Sequence, residues 1–369
     1  MIKQERIIAV DFLRGLTVAG MILVNNPGSW SNIYLPMQHS SWNGCTPTDL
    51  VFPFFLFIVG ISVSYSLNAA RSSGANQTIF VVKIIKRASI LFLLGLVLNF
   101  IPDFDLGSLR IPGVLQRIAI VFLFSALLFL KTSVRTQLLV SISVLMLYWL
   151  IMTLVPVPGI GVSSLESETN LSAWLDYKLL TNHLWKYTKT WDPEGILSTL
   201  PALISGLIGV LAGSWLKSDS EQKDKVIRLF VVGNSLIVIA LVWDMIFPIN
   251  KSLWTSSFVL YTSGIAMVVL AICYWLIDIQ SYSRVIKPVV AFGSNAIAAY
   301  IISELLAKVF YFTIMVNANS ISIKDALFQY LSFDWVNLKF LSFVLALVWL
   351  ILIWIPINWM HKKKIFIKV

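Results

Sequence analysis

The stretch Phe12-Leu13-Arg14-Gly15-Leu16-Thr17-Val18-Ala19-Gly20-Met21-Ile22-Leu23-Val24 and a second apolar stretch over 50–63 bracket a polar run, Gln38-His39-Ser40-Ser41-Trp42-Asn43-Gly44-Cys45-Thr46-Pro47-Thr48-Asp49. Each apolar stretch, extended by its neighbours, reaches the roughly 20 residues that cross a bilayer as a helix. The polar run therefore lies where one membrane helix ends and the next begins. An imidazole at that mouth is suited to act as a base or an acyl acceptor near neutral pH.

Outward from this pair, the whole chain reads as membrane. It has 369 residues, 58% hydrophobic and 12% charged, with a mean hydropathy of +0.83; an ordinary soluble domain has roughly 25% charged residues. Spans are expected at about 7–27, 48–70, 80–101, 113–130, 137–155, 195–216, 229–249, 255–277, 288–312 and 337–360, an all-α bundle of about ten helices. The first span is expected to remain attached, since 1–6 lead into it without a small-residue cleavage site. A single transmembrane domain over 1–369 is expected, with an outer cap at 156–194.

Lys and Arg cluster in alternate short loops, as with Arg71, Lys83, Lys86 and Arg87, then Lys131 and Arg135, then Lys217, Lys223, Lys225 and Arg228, and at the end Lys362, Lys363 and Lys364. By the positive-inside rule these loops and both termini are cytoplasmic, which accounts for most of the formal charge of +10. Nucleic-acid binding is not expected, because no soluble basic face is formed. The basic inner surface could attract an anionic cofactor or anionic lipid.

Cys45 and Cys273 have no metal-type spacing and are not expected to form a disulfide, and no CxxC, HExxH, Walker loop or GxSxG occurs. No metal site is expected. The long outer segment carries Trp174, Tyr177, His183, Trp185, Tyr187 and Trp191. Clustered aromatics can stack on sugar rings, but the interfacial belt of membrane proteins is the favoured reading. His183 is expected to be a surface or belt residue rather than a catalyst. A second outer segment, 313–335, is expected to be a loop with a short surface helix.

The first span carries a polar stripe. Asp11 and Arg14 are three residues apart and can pair on one helix face, and Gly15 permits close approach of a neighbour. Asn25 falls on nearly the same face as Arg14, about 16 Å away. A phosphate-bearing carrier could lie along the stripe; equally, Asp11 and Arg14 could be an internal ion pair and Asn25 a packing residue. Thr46-Pro47-Thr48-Asp49 reads as an N-cap, a proline at the first helical position and an acid at the third. Asp49 then either caps the helix or orients His39 as carboxylates do in catalytic triads.

These residues, together with Arg110-Ile111-Pro112-Gly113-Val114-Leu115-Gln116-Arg117, Asp192-Pro193-Glu194-Gly195, Gly293-Ser294-Asn295, Tyr300 and Glu304, occur in an order and spacing that resemble the heparan-α-glucosaminide N-acetyltransferase family. The resemblance implies a multi-helix membrane acetyltransferase that takes acetyl from cytoplasmic acetyl-CoA, a cosubstrate, and delivers it to the amino group of a glucosamine-type sugar on the far side. It maps the family's catalytic histidine to His39 and its Val-Asn asparagine to Asn25, a candidate oxyanion donor. It also implies a possible homodimer. The chain starts at the Asp-x-x-Arg-Gly helix without the luminal domain of the lysosomal enzyme, so a short bacterial-type member in the inner (plasma) membrane is expected.

Asp49 joins His39 and Asn25 as the expected catalytic set. Arg14, Arg110, Arg117 and Gln116 are the candidates for binding CoA, with Arg110 and Arg117 alternatively paired to Asp192, Glu194 or Asp49. Trp42, Asn43, Asp192, Glu194 and Glu304 are the candidates for binding the acceptor. The competing function is a proton-coupled transporter or flippase of a sugar or lipid-linked intermediate, with His39, Asp49 and Glu304 as proton relay.

Overall fold

A computed structural model of the chain describes residues 7–72, 77–282, 286–310 and 321–367. The described residues form thirteen α-helices: α1 (Ile8–Asn25), α2 (Val51–Ser72), α3 (Gln77–Phe100), α4 (Val114–Lys131), α5 (Val134–Leu154), α6 (Leu171–Leu180), α7 (Thr199–Leu216), α8 (Gln222–Asp244), α9 (Ser256–Tyr274), α10 (Lys287–Ser294), α11 (Ala296–Lys308), α12 (Ile323–Leu331) and α13 (Leu338–Lys362). Among them, eight helices are long and apolar enough to cross a membrane, and a ninth span results if the bent pair α10 and α11 counts as one. The tenth expected span corresponds to α3, which has the length but carries exposed Lys83, Lys86 and Arg87 in its first half. The expected polytopic all-helical bundle is therefore what the chain builds.

The chain divides into two compact units. One comprises Met1–Ser40, Thr46–Phe52 and Cys273–Val369, and the other Ser41–Cys45 and Pro53–Ile272.

In the first unit α1 packs against α10, α11 and α13. Gly15 and Gly293 make the close crossing possible: a Cβ on Gly15 would strike the Val289 carbonyl, and one on Gly293 the Asp11 carbonyl. Small residues at a helix crossing are a common membrane solution, because backbones approach where lipid supplies no hydrophobic drive between helices. The expected single span over 288–312 is broken here, α10 and α11 meeting at 84°. Around the break one backbone carbonyl and two side chains are anchored. Arg14 Nη1 donates to Gly293 O (3.2 Å), Ser294 Oγ lies 2.8 Å from His361 Nδ1, and Asn295 donates to Ile365 O (3.0 Å) and accepts from Ile367 N (3.1 Å). Backbone irregularity at membrane depth is tolerated only when its polar groups are satisfied in this way. The expected surface helix in 313–335 is α12; residues 311–320 of that segment lie outside the described residues.

In the second unit α7 is the central element, with α2, α4 and α5 against it. Gly209 lies where a Cβ would strike the Phe57 carbonyl of α2. The unit also holds a cluster of buried Tyr148, Met152, Phe247 and Leu253, on which Trp42, Trp149, Leu165, Leu171, Leu197 and Trp243 pack. The expected outer cap contains α6, whose N-cap Asn170 accepts from Ala173 N at 2.8 Å.

Candidate functional site

The first candidate centre lies wholly in the first unit. Thr46 and Asp49 form a capping box at the start of a 3-10 turn, Pro47–Leu50, that leads into α2. Asp49 is fully buried, and its two oxygens divide their tasks. Oδ2 accepts from Ser40 N, Thr46 N and Thr46 Oγ1, each at 3.0 Å. Oδ1 lies 2.6 Å from Nδ1 of His39. The two expected roles of Asp49, capping and orienting, are thus both present in one side chain. A carboxylate can only accept, so His39 Nδ1 carries the proton and the lone pair of the neutral ring belongs to Nε2. The His39 side chain is 49% exposed against 0% for Asp49. The imidazole is thus half exposed, and its anchor is dry.

Arg14 pairs with Asp11 at 2.7 Å, the internal ion pair allowed by their spacing. It is only partly buried, while Asp11 is buried. Asn25 is the last residue of α1, exposed and with no side-chain hydrogen bond among the described residues; its neighbour Asn26 is buried and donates to Ile22 O (2.7 Å) and Ser303 Oγ (3.4 Å). Glu304 follows Ser303 on α11 and is partly buried.

The second candidate centre lies wholly in the second unit. Arg110 forms a bidentate pair with Asp192, Nε to Oδ2 at 2.8 Å and Nη2 to Oδ1 at 2.6 Å, and Nη2 also reaches Glu194 Oε2 at 2.5 Å. Burial opposes the guanidinium charge, but its hydrogen bond to Asp192 and the charges of Glu194 and Asp192 outweigh it and raise its pKa above the ordinary value. Asp192 also accepts from Trp185 N (3.1 Å) and Glu194 N (2.9 Å). Glu194 Oε1 makes no hydrogen bond among the described residues. Of the two carboxylates held by Arg110, Glu194 is the one with accepting capacity to spare.

Arg117, on α4, is buried and donates through Nη2 to Gly195 O (3.1 Å) and Ser198 Oγ (2.5 Å), with its guanidinium 5.1 Å from the ring centre of Trp254. Gln116 is buried beside it, its amide packed under Gly95 and Gly113. Trp42 packs edge-on against Trp191 (5.3 Å) and donates to Leu165 O (3.0 Å), while exposed Asn43 accepts from Asn250 (3.2 Å). His183, expected at the surface, is half-buried: its Nδ1 lies 2.7 Å from Leu109 O and its carbonyl accepts from Ile111 N (3.0 Å), so it clamps the loop that carries Arg110.

Asp176 on α6 belongs to this centre and is not among the residues expected from sequence. It is buried and accepts from Ile196 N (2.9 Å) and Asp192 N (3.4 Å). Burial pushes its carboxyl up to about 6, the backbone donor from Ile196 offsetting part of that and Asp192 adding to it. The available signal is weak, an acid on a short helix capped by Asn170.

A polytopic helical membrane protein with a buried carboxylate orienting an exposed histidine is the class that fold and site define. A family model described as Heparan-alpha-glucosaminide N-acetyltransferase, catalytic, matches residues 6–242. The chain is 30% identical over 423 residues to a Mus musculus protein named Heparan-alpha-glucosaminide N-acetyltransferase, a match covering 100% of this chain and 61% of that protein. It is also 30% identical over 422 residues to the Homo sapiens protein of the same name, covering 99% of this chain and 60% of that one. The chain belongs to this family, and it spans about three fifths of the length of these curated relatives.

Proposed function

We propose that the chain is a membrane acetyltransferase that moves acetyl from acetyl-CoA on the cytoplasmic side to the amino group of a glucosamine-type sugar on the outer face. The observation that carries this reading is the 2.6 Å pair of His39 Nδ1 with buried Asp49, in a chain of this family. With Nδ1–H directed at the carboxylate, Nε2 is the base. It takes the proton of the acceptor amine as nitrogen attacks the thioester carbonyl, and the C–S bond breaks to release CoA. The same nitrogen could carry the acetyl group as an acyl-imidazole; either course needs the ring held in this tautomer.

Arg14 is assigned to the CoA phosphates, because its guanidinium is partly exposed and its end of α1 is read as cytoplasmic. Arg110 and Arg117 already hold carboxylates, a carbonyl and a hydroxyl. They are assigned instead to building the turn that bears Glu194, the residue proposed to accept hydrogen bonds from the acceptor's hydroxyl groups.

Purified protein in detergent, supplied with labelled acetyl-CoA and glucosamine, is expected to form labelled N-acetylglucosamine without any gradient. His39→Ala is expected to abolish transfer while acetyl-CoA affinity persists. A wild-type protein that forms no new bond and instead moves a sugar across sealed vesicles would refute the proposal.

A further inference from the structure

We propose that Asp176 is a positioning residue for acceptor binding: from α6 it holds the turn Asp192-Pro193-Glu194-Gly195-Ile196 in the conformation that sets Glu194 beside Arg110. This deepens, and rests on, the assignment of Glu194 to the acceptor.

The geometry is that of a carboxylate spanning a turn. One oxygen of Asp176 accepts from Ile196 N at 2.9 Å and the other from Asp192 N at 3.4 Å, so the two ends of the turn are tied to a single side chain. Between them Asp192 O accepts from Gly195 N at 2.9 Å, closing the turn on itself. Gly195 gives a reason for the last position of this motif. A Cβ there would fall on the Asp176 carboxylate, so only glycine lets the carboxylate sit under the turn. Asp176 touches neither Arg110 nor Glu194 through any hydrogen bond among the described residues. It acts through the backbone, which is why no charge pattern in the sequence reveals it.

A buried carboxylate satisfied by two backbone donors is an expensive fixture, since ionised acids are rarely buried without a cation on them. The charged groups facing it are Arg117 from α4 and Asp192 from the turn, with Tyr148 of α5 nearby. Arg110 is taken up by Asp192 and Glu194. Asp176 is left to the backbone of the turn, whose geometry it then dictates.

Two substitutions test this in the full-length protein. In Asp176→Asn the amide oxygen can serve one backbone donor, but the NH2 group then opposes the other; no charge needs burying, so folding should persist. Gly195→Ala displaces the carboxylate from the other side. Both are expected to raise the acceptor KM about tenfold, the order of one hydrogen bond to a charged group, with the acetyl-CoA KM and melting temperature near wild type. Hydrogen exchange should accelerate in peptides spanning 192–196. In wild type the acceptor KM should rise as pH falls through about 6, where the carboxyl gains a proton and loses an accepting site; in Asp176→Asn that rise should be absent.

An unchanged acceptor KM and pH profile would overturn the proposal. So would parallel loss of kcat and both affinities with a lowered melting temperature, the mark of a merely structural residue. If wild-type protein forms no acetylated product, the acetyltransferase reading fails, and exchange over 192–196 still decides the hold of Asp176 on the turn: faster exchange in the variants supports it and unchanged exchange refutes it.

Discussion

Nδ1 of His39 and Oδ1 of Asp49 are 2.6 Å apart, and the second oxygen of that buried carboxylate is fixed by three donors from the segment that carries the histidine. The helix cap and the orientation of the imidazole are therefore one structure. A change at Asp49 reaches the base before it reaches the fold.

Asp49→Asn separates the two roles. The amide oxygen should stay with Ser40 N, Thr46 N and Thr46 Oγ1, where three donors await it, and turn its NH2 toward Nδ1. That favours the tautomer with the proton on Nε2, which cannot act as a base. By analogy with the triad aspartate, kcat is expected to fall on the order of 10³–10⁴-fold with little change in KM. Asp49→Ala should lose as much activity and in addition about 1 kcal/mol of stability from the missing cap. Steady-state kinetics with thermal denaturation checks both, and an Asn variant with wild-type kcat would remove Asp49 from the mechanism.

Arg110→Ala should act mainly on stability. It leaves Asp192, whose side chain is fully buried, with only the Trp185 and Glu194 amides as partners. Stranding a buried charge is expected to cost about 3 kcal/mol or more. Arg110→Lys, which keeps the charge but not the bidentate fork, should recover only part of this. Equal melting temperatures for Arg110→Ala and wild type would show that the pair is not under load.

Stability should also depend on pH through Asp176. Its folded-state pKa is raised from 3.8 to about 6, so the stability it contributes is fully present below 3.8 and is lost as pH rises through about 6. The whole effect is at most about 3 kcal/mol. Melting temperature in detergent should therefore fall from pH 4.5 to 7 more steeply in wild type than in Asp176→Asn. Identical slopes would contradict the assignment.

The membrane helices were legible because bilayer thickness leaves a direct trace in the length of apolar runs. The break between Ser294 and Asn295 was not: two small polar residues in an apolar run are compatible with a straight span. What holds the bend lies far away in sequence: Arg14 takes up the Gly293 carbonyl, and the backbone of Ile365 and Ile367 anchors the Asn295 side chain. At the site, Thr46-Pro47-Thr48-Asp49 announced the cap by local chemistry, and either reading of Asp49 was open until the distance to His39 was known. Arg110 likewise allowed a phosphate or a carboxylate partner, and the geometry chooses Asp192 and Glu194. Asp176 left almost no trace, because its partners are backbone amides of Asp192 and Ile196, which carry no residue identity.

The central claim is transfer across the membrane, with His39 on the face opposite the donor. Vesicles containing uniformly oriented protein, with labelled acetyl-CoA on the cytoplasmic face only and an impermeant amino sugar on the other, test it most directly. The account predicts labelled amino sugar in the compartment that never contained acetyl-CoA, and none with His39→Ala. Acetylation that occurs only when acceptor and acetyl-CoA share the cytoplasmic face would contradict it.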